Sequence, residues 1–250
     1  MRIGEHVVRP TNAHTPTIHR LMAFMRDCGF DGVQHVVGIQ PDGRERLTFV
    51  AGDVPLPPFP EWSLTDEVLS STTELVRRFH DATVGFPSMD TDTWSDEMAD
   101  PQVGGADDVI CHNDVCPENV VYRDGRAVAI LDLDFAAPGR RIWDVAAFAR
   151  YFVPVDGPEG AALLGRGHLD PFRRLRVVAD AYGLDGRQRR QLVDVLGEQI
   201  RRGGEFVMRR IEAGEQAFID MWNSMGGAAR FDKRREWFAA NRHTLLAALG

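Results

Sequence analysis

Residues 109–139 read VICHNDVCPENVVYRDGRAVAILDLDFAAPG. Two short apolar, β-branched runs, 109–111 and 120–122, bracket the polar cluster 112–119. A third run, 127–131, follows the turn Asp124-Gly125 and leads straight into Asp132 and Asp134. Runs of this composition bounded by turn residues read as strands. Apolar strands do not normally carry polar clusters at their ends without a use. The strand–turn–strand between Asn119 and Asp132 is able to fold His112, Asp114, Asn119, Asp132 and Asp134 back into one site.

Working outward, the chain before this stretch is rich in β signals and the chain after it in helical ones. Residues 7–9 form a short strand ended by Pro10. Thr15-Pro16 opens a helix, with threonine as cap; Ile18, Leu21, Met22 and Met25 keep helical spacing and Gly29 stops it. Strands are expected at 33–39 and 46–51 around the turn Pro41-Asp42-Gly43. The proline-rich stretch 53–62 is a connector, and Ser63 caps a helix running to about Ala82. Residues 86–107 are polar and rich in Gly, Pro and Asp, and read as loop. Helices are expected at 142–151, 169–182, 186–212, 214–225 and 231–249. No internal repeat or low-complexity tract occurs. The order points to an α+β fold and not an alternating βαβ sheet.

The polar set suits phosphoryl transfer. That reaction asks for a carboxylate to orient the acceptor hydroxyl, hard oxygen ligands for magnesium, and positive charge on the transferred group. An aspartate, an asparagine five residues on, and a further aspartate at a strand end supply the first two. His-Asn-Asp-Val-Cys-Pro-Glu-Asn (112–119) resembles the catalytic loop of the aminoglycoside phosphotransferase and choline kinase superfamily. Ile-Leu-Asp-Leu-Asp-Phe (130–135) resembles its metal-binding segment, the counterpart of the protein-kinase DFG. Trp143-Asp144-Val145-Ala146 resembles the helix that follows.

The resemblance implies a two-lobed protein-kinase-like fold. Residues 1–52 are then a truncated N-terminal lobe with a small antiparallel sheet and one helix. Residues 53–62 connect it to a mostly helical catalytic and acceptor-binding lobe, 63–250. It implies Asp114 as the catalytic, acceptor-orienting carboxylate and Asn119, Asp132 and Asp134 as magnesium ligands. His112 and Asp144 act as supports of the loop. Arg9 stands where the family's phosphate-binding lysine is expected; the plain alternative is a surface arginine. The chain has a single lysine, Lys233. Phe49 walls the base pocket, or is simply core, and Ala51 offers backbone to the adenine. His80 is a packing or capping residue and Cys116 a small side chain. The helix from Thr15 should supply a glutamate to pair with the cation at Arg9, but its mid-helix polar residues are His19 and Arg20. The family's two leading strands and phosphate-covering loop have no counterpart in the six residues before Val7.

The resemblance implies ATP, or GTP, with Mg2+, and a small-molecule acceptor. A net charge of -8 and a pI of about 5.5 are compatible with a cationic acceptor. They disfavour general nucleic-acid binding, which rests on phosphate neutralisation. Glu205, Glu212, Glu215 and Asp220 are placed to recognise amines, or form solvated helix faces; Trp222 and Trp237 stack on substrate, or pack the core. No apolar run approaches a membrane span, and MRIGEHVVRP lacks a signal's apolar stretch, so the expected location is the cytoplasm and no membrane partner is expected. The three cysteines, Cys28, Cys111 and Cys116, form neither a disulfide framework nor a zinc knuckle by spacing. The oligomeric state is open. The competing reading is a catalytically impaired pseudokinase or immunity-type binding protein on the same fold; a metal-dependent hydrolase using the same carboxylates is a third.

Overall fold

The computed structural model describes residues 1–105 and 108–250, so positions 106 and 107 of the expected loop 86–107 lie outside the described residues. Packing gathers the chain into two units, Met1–Val54 with Ser71–Arg141 and Pro55–Ser70 with Ile142–Gly250.

The first unit opens with strands β1 (Arg2–Ile3) and β2 (His6–Arg9), then helix α1 (Thr15–Asp27), then strands β3 (Val36–Ile39) and β4 (Glu45–Thr48). The four strands form one antiparallel sheet of order β1-β2-β4-β3. β1 corrects the expectation that the first strand begins at Val7. Arg2 and Ile3 pair back onto Val7 and His6 through Gly4, which takes φ +59. A strand of two exposed residues leaves no periodicity to read.

β3 and β4 are shorter than the runs 33–39 and 46–51 suggest. Before β3 the side chain of Gln34 donates to the Thr48 carbonyl at 2.9 Å, and the Thr48 hydroxyl accepts from the His35 amide at 2.8 Å. Side-chain bonds there replace ladder bonds. α1 buries Ile18, Leu21, Met22 and Met25 as their spacing predicts. Thr15 is not its cap. It is the first helical residue, and its hydroxyl accepts from the Asn12 amide at 2.9 Å.

A long helix, α2 (Asp66–Thr83), follows a single 3-10 turn at Glu61–Leu64. Its start also departs from expectation. Ser63 lies in that turn and donates to the Pro60 carbonyl, whereas the Thr65 hydroxyl accepts from the Val68 amide at 3.2 Å and serves as the cap.

Beyond the loop come β5 (Val109–Cys111), β6 (Val120–Arg123), β7 (Arg126–Ile130) and β8 (Ala137–Gly139). β6 and β7 form a hairpin whose turn residues, Asp124 and Gly125, both take positive φ, as the sequence Asp-Gly favours. β5 pairs with β8, a strand that Ala-Pro-Gly does not announce. The buried Asp100 carboxylate fastens the end of β8. It accepts from Arg140 Nε at 2.7 Å, Nη2 at 2.8 Å and the Arg140 amide at 3.0 Å. That fork-to-carboxylate pairing holds Asp100 below the usual carboxylate pKa range, against the upward push of its burial.

The second unit is helical: α3 (Arg141–Phe152, from Ile142 on), α4 (Gly157–Leu163), α5 (Pro171–Tyr182), α6 (Gly186–Glu212), α7 (Gln216–Ser224) and α8 (Gly227–Leu249). Leu175 and Val178 of α5, Leu192, Val193 and Leu196 of α6, and Phe238 and Leu245 of α8 form its core. α4 is too short to show a pattern and was not expected. α6 matches the expected range 186–212, and its start is written locally. Asp185 accepts from the Gln188 amide at 2.8 Å while Gln188 accepts from the Asp185 amide at 2.9 Å, a reciprocal capping box. Asp185→Ala is expected to cost about 1 kcal/mol, read as a lowered midpoint in chemical denaturation with an unchanged slope. No described helix is long and apolar enough to cross a membrane.

Candidate active site

Strand β5 is fully buried and delivers His112 to the start of a tight polar loop. The imidazole accepts from the Asp114 amide through Nδ1 at 3.2 Å and donates from Nε2 to the Leu131 carbonyl at 2.9 Å. One neutral tautomer satisfies both bonds. His112 thus ties the loop to the chain entering Asp132, a supporting position. Asn113 takes φ 66 and donates to the Phe135 carbonyl at 2.8 Å.

The loop is closed by Asn119. Its Nδ2 donates to the Asp114 carbonyl at 3.0 Å and to Asp114 Oδ2 at 3.2 Å. These bonds orient the amide and leave its oxygen as the end available to a hard cation. The Asn119 carbonyl accepts from the Leu131 amide at 2.7 Å, which sets the β7 exit beside the loop. Cys116 lies between. Burial, and then the nearby Asp114 and Glu118 charges, push its thiol up, so it is not a ready nucleophile.

Asp132 takes a left-handed conformation, φ 63 and ψ 72, and begins a 3-10 turn that carries Asp134. Left-handed backbone is costly for a residue with a Cβ and is maintained only where the surroundings demand it. Here it turns two carboxylates toward one guanidinium. Arg9 Nη1 donates to Asp132 Oδ1 at 2.6 Å and Nη2 to Asp134 Oδ1 at 2.8 Å. Arg9 Nε donates to Glu45 Oε1 at 2.5 Å, and His19 Nε2 to Glu45 Oε2 at 2.6 Å.

Glu45 is the functional residue that sequence reasoning misses. The acid that pairs with Arg9 comes from β4, directly across the ladder, where Arg9 and Glu45 are register partners. α1 contributes His19 to that same glutamate instead of a glutamate of its own. The one signal in the sequence is a charged residue at a strand position that pairs inward. The Glu45 side chain is 2% exposed, while Asp132 and Asp134 are 49% and 40% exposed.

The electrostatics follow. Burial works to raise the Glu45 pKa, but the His19 hydrogen bond and the charge and hydrogen bond of Arg9 outweigh it and hold the carboxyl below its usual range. Asp134 is pushed up by burial and by the neighbouring Asp132 and Glu45 charges, with Arg9 opposing. Burial would lower the Arg9 pKa, but the Asp134, Glu45 and Asp132 charges raise it further still. Three carboxylates face one guanidinium, so the cluster carries an excess negative charge that a divalent cation would balance.

The donor set fits magnesium in kind. Asp132, Asp134 and the Asn119 amide oxygen are hard oxygen ligands, and substrate phosphates ordinarily complete such a shell. Among the described residues no group of three or more His, Cys, Asp or Glu side chains is arranged around a metal position. Arg9 now bonds the two aspartates that a metal would share.

The other expected residues have surroundings of their own. Phe49 carries the Arg2 guanidinium at 3.7 Å from its ring centroid, and its amide donates to the Glu5 carbonyl at 2.8 Å. The Ala51 carbonyl accepts from Arg123 Nε at 3.0 Å. His80 is buried, as a packing role requires. In the second unit Asp144 is buried in the first turn of α3. Glu205 pairs with Arg201, Glu215 with Arg210 and Asp220 with Gln216, all partners close in sequence. Glu212 lines a cavity of about 460 Å3 that also includes Trp222. Trp222 lies 5.0 Å from the Phe231 ring and Trp237 stacks 6.1 Å from that of Phe172.

The profile described as "Phosphotransferase enzyme family" matches residues 53–178, half of the chain and all of the loop and turn just described. The chain belongs to the phosphotransferase enzyme family. This phosphotransferase-family chain is also 31% identical, over 99% of its length and 94% of the relative's, to the trifolitoxin immunity protein of Rhizobium leguminosarum bv. trifolii. Among solved structures it resembles a choline/ethanolamine kinase family protein from Mesorhizobium loti. That match has a TM-score of 0.65 and 14% identity, over 99% of this chain and 87% of the other. An amicoumacin kinase in complex with AMP-PNP, Ca2+ and Ami gives a TM-score of 0.64 and 13% identity, over 96% of this chain and 84% of the other. At these identities the likeness shows the fold: protein-kinase-like, with a helical C-terminal region, as the motifs of the sequence imply.

Proposed function

We propose that this chain transfers the γ-phosphoryl group of ATP, with magnesium, to a hydroxyl group of a small molecule. The observation that carries the reading is the Asp114–Asn119 loop, locked by His112 beside a turn that presents Asp132 and Asp134 to Arg9. In this reading Asp114 accepts the hydrogen bond of the acceptor hydroxyl and takes its proton as the oxygen–phosphorus bond forms. The bond from the γ-phosphorus to the ADP oxygen breaks, and ADP carries away that electron pair. Arg9 holds phosphate oxygens with a bidentate fork, in the place where the family resemblance implies a lysine, and Glu45 with His19 keeps the fork aimed. Asn119, Asp132 and Asp134 would hold magnesium, which would supply positive charge against the phosphates. Residues 1–52 serve the nucleotide, with Phe49 against the base and Ala51 offering backbone. Residues 63–250 serve chemistry and acceptor, with Asp144 as a buried support. GTP would meet the same phosphate contacts. The kinase relatives bind small molecules by their printed descriptions, which supports a small-molecule acceptor here.

A second reading has its own observation. The Arg9 guanidinium already bonds both aspartates that would hold the metal, and an immunity protein is 31% identical over nearly the whole chain. A binding protein of the immunity type would keep this ion cluster as a structural clamp. Thermal melting with millimolar Mg-ATP separates the two. The phosphotransferase reading expects a rise in Tm that grows with ligand concentration, because a ligand that binds only the folded state stabilises it. Absence of a rise in ATP and in GTP sinks that reading and leaves the clamp. An acceptor screen following ADP release then identifies the substrate.

A further inference from the structure

Four arginines surround one buried aspartate in the helical unit. Asp156, at the start of α4, accepts from Arg166 Nη2 at 2.8 Å. Its other oxygen lies 3.5 Å from Arg230 Nη2 and 3.4 Å from Arg234 Nε. Arg234 Nη2 also donates to the Arg150 carbonyl at 3.0 Å, so α3 and α8 meet here. The fourth arginine, Arg150, is 7% exposed, and its guanidinium makes no hydrogen bond or ion pair with any described residue. It lies 4.4 Å from the Tyr151 ring centroid and close against Gly203 of α6, where a Cβ would stand 1.7 Å from its Nη1. Buried Nε atoms of Arg150 and Arg234 have no hydrogen-bond partner. Glu159, the acid closest in sequence, is taken by Lys233 at the surface.

One carboxylate cannot balance four guanidinium groups. Burying an ion without a partner is expensive, and native structures normally supply the counter-charge. The mutual repulsion bears on Arg234. Burial, reinforced by the Arg150, Arg230 and Arg166 charges and opposed by Asp156, holds Arg234 down at about 10. The missing charge is negative, and the buried Nε donors left without a partner belong to guanidinium groups, which suit an oxyanion.

We infer that Arg150, Arg230 and Arg234 form an anion site in the helical unit that takes a phosphate group, as inorganic phosphate or as a phosphomonoester. None of these residues belongs to the phosphotransfer cluster, and the inference stands whether or not that cluster turns over. Inorganic phosphate is expected to raise Tm saturably, above the effect of potassium chloride at equal ionic strength. Arg150→Met should weaken the midpoint at least tenfold, while Arg242→Met, at a surface ion pair with Asp194, leaves it unchanged. Without phosphate, Arg150→Met should melt at or above wild type, since it removes an uncompensated charge and keeps the volume. Should that variant fail to fold, Arg230→Gln on the more exposed edge must weaken the midpoint at least fivefold. Glycerol phosphate run in parallel tells the sources apart: a lower midpoint than phosphate assigns the site to a phosphomonoester, a higher one to the free ion. The inference falls if phosphate does no more than chloride, if the Arg150 and Arg230 variants respond like wild type, or if Arg9→Met alone abolishes the response.

Discussion

Asp114→Asn is expected to lower ADP release in the presence of acceptor by about 100- to 10,000-fold, the usual worth of a positioned general base. That corresponds to roughly 3–5 kcal/mol in the barrier. The fold should tolerate the change. The side chain is isosteric, and its amide oxygen can still accept from Asn119 Nδ2, which also holds the Asp114 carbonyl at 3.0 Å. Magnesium and nucleotide are assigned to other residues, so the Tm rise in Mg-ATP should survive. The loss should fall in kcat and not in the nucleotide KM, because the carboxylate acts on the hydroxyl as the new bond forms. Retention of more than a tenth of the wild-type rate would remove Asp114 from the chemistry. The immunity-type reading expects a different pattern, with any binding role unaffected by Asp114→Asn and lost on changing the surface that meets the partner.

How much of this was readable in the chain depends on where the information sits. The segment 109–139 announces itself because its strands, turn and polar residues are adjacent in sequence, and each local choice agrees with the others. Helix α6 is legible for the same reason, with a capping box at one end and periodic apolar residues throughout. Glu45 is not. Its role exists only once β4 pairs with β2 in the register that sets it opposite Arg9, and a register between strands far apart in the chain leaves no local mark. Ser63 and Thr65 are both good helix caps, and only the 3-10 turn at Glu61–Leu64 decides for Thr65. Arg150, Arg230 and Arg234 look like the ordinary solvated arginines of two helices. Packing against Asp156 and Gly203 makes them a cluster, and packing is the part of the problem that a single sequence states least directly.

Glu45→Ala is expected to destabilise the protein by about 3 kcal/mol, near the low end for breaking a buried pair by removing one partner. The low end applies because Arg9 retains Asp132 and Asp134, whereas His19 loses the acceptor of its Nε2 donor. For a chain of this size that is a fall of roughly 6–12 °C in Tm. A melt within about 2 °C of wild type would show that Glu45 is not the anchor of the cluster. The pH dependence gives a second check with a definite sign. The folded-state pKa of Glu45 lies below its ordinary value of 4.5, so its carboxylate contributes stability above that pH. The contribution is lost as pH falls from there through the folded-state value. The gap in Tm between wild type and Glu45→Ala should therefore be full near neutrality and close on acidification below about pH 4.5. Asp134, whose pKa is raised, works the other way, and it should relax downward in the variant as one neighbouring negative charge disappears. Glu45→Gln separates the two contributions of the residue. Its side-chain oxygen can still accept from Arg9 or His19, so the loss should be smaller than in Glu45→Ala, but with the charge gone the acid dependence should vanish equally in both. That outcome would mark Glu45 as the fixed counter-ion that lets Arg9 face either two aspartates or the phosphates of a nucleotide.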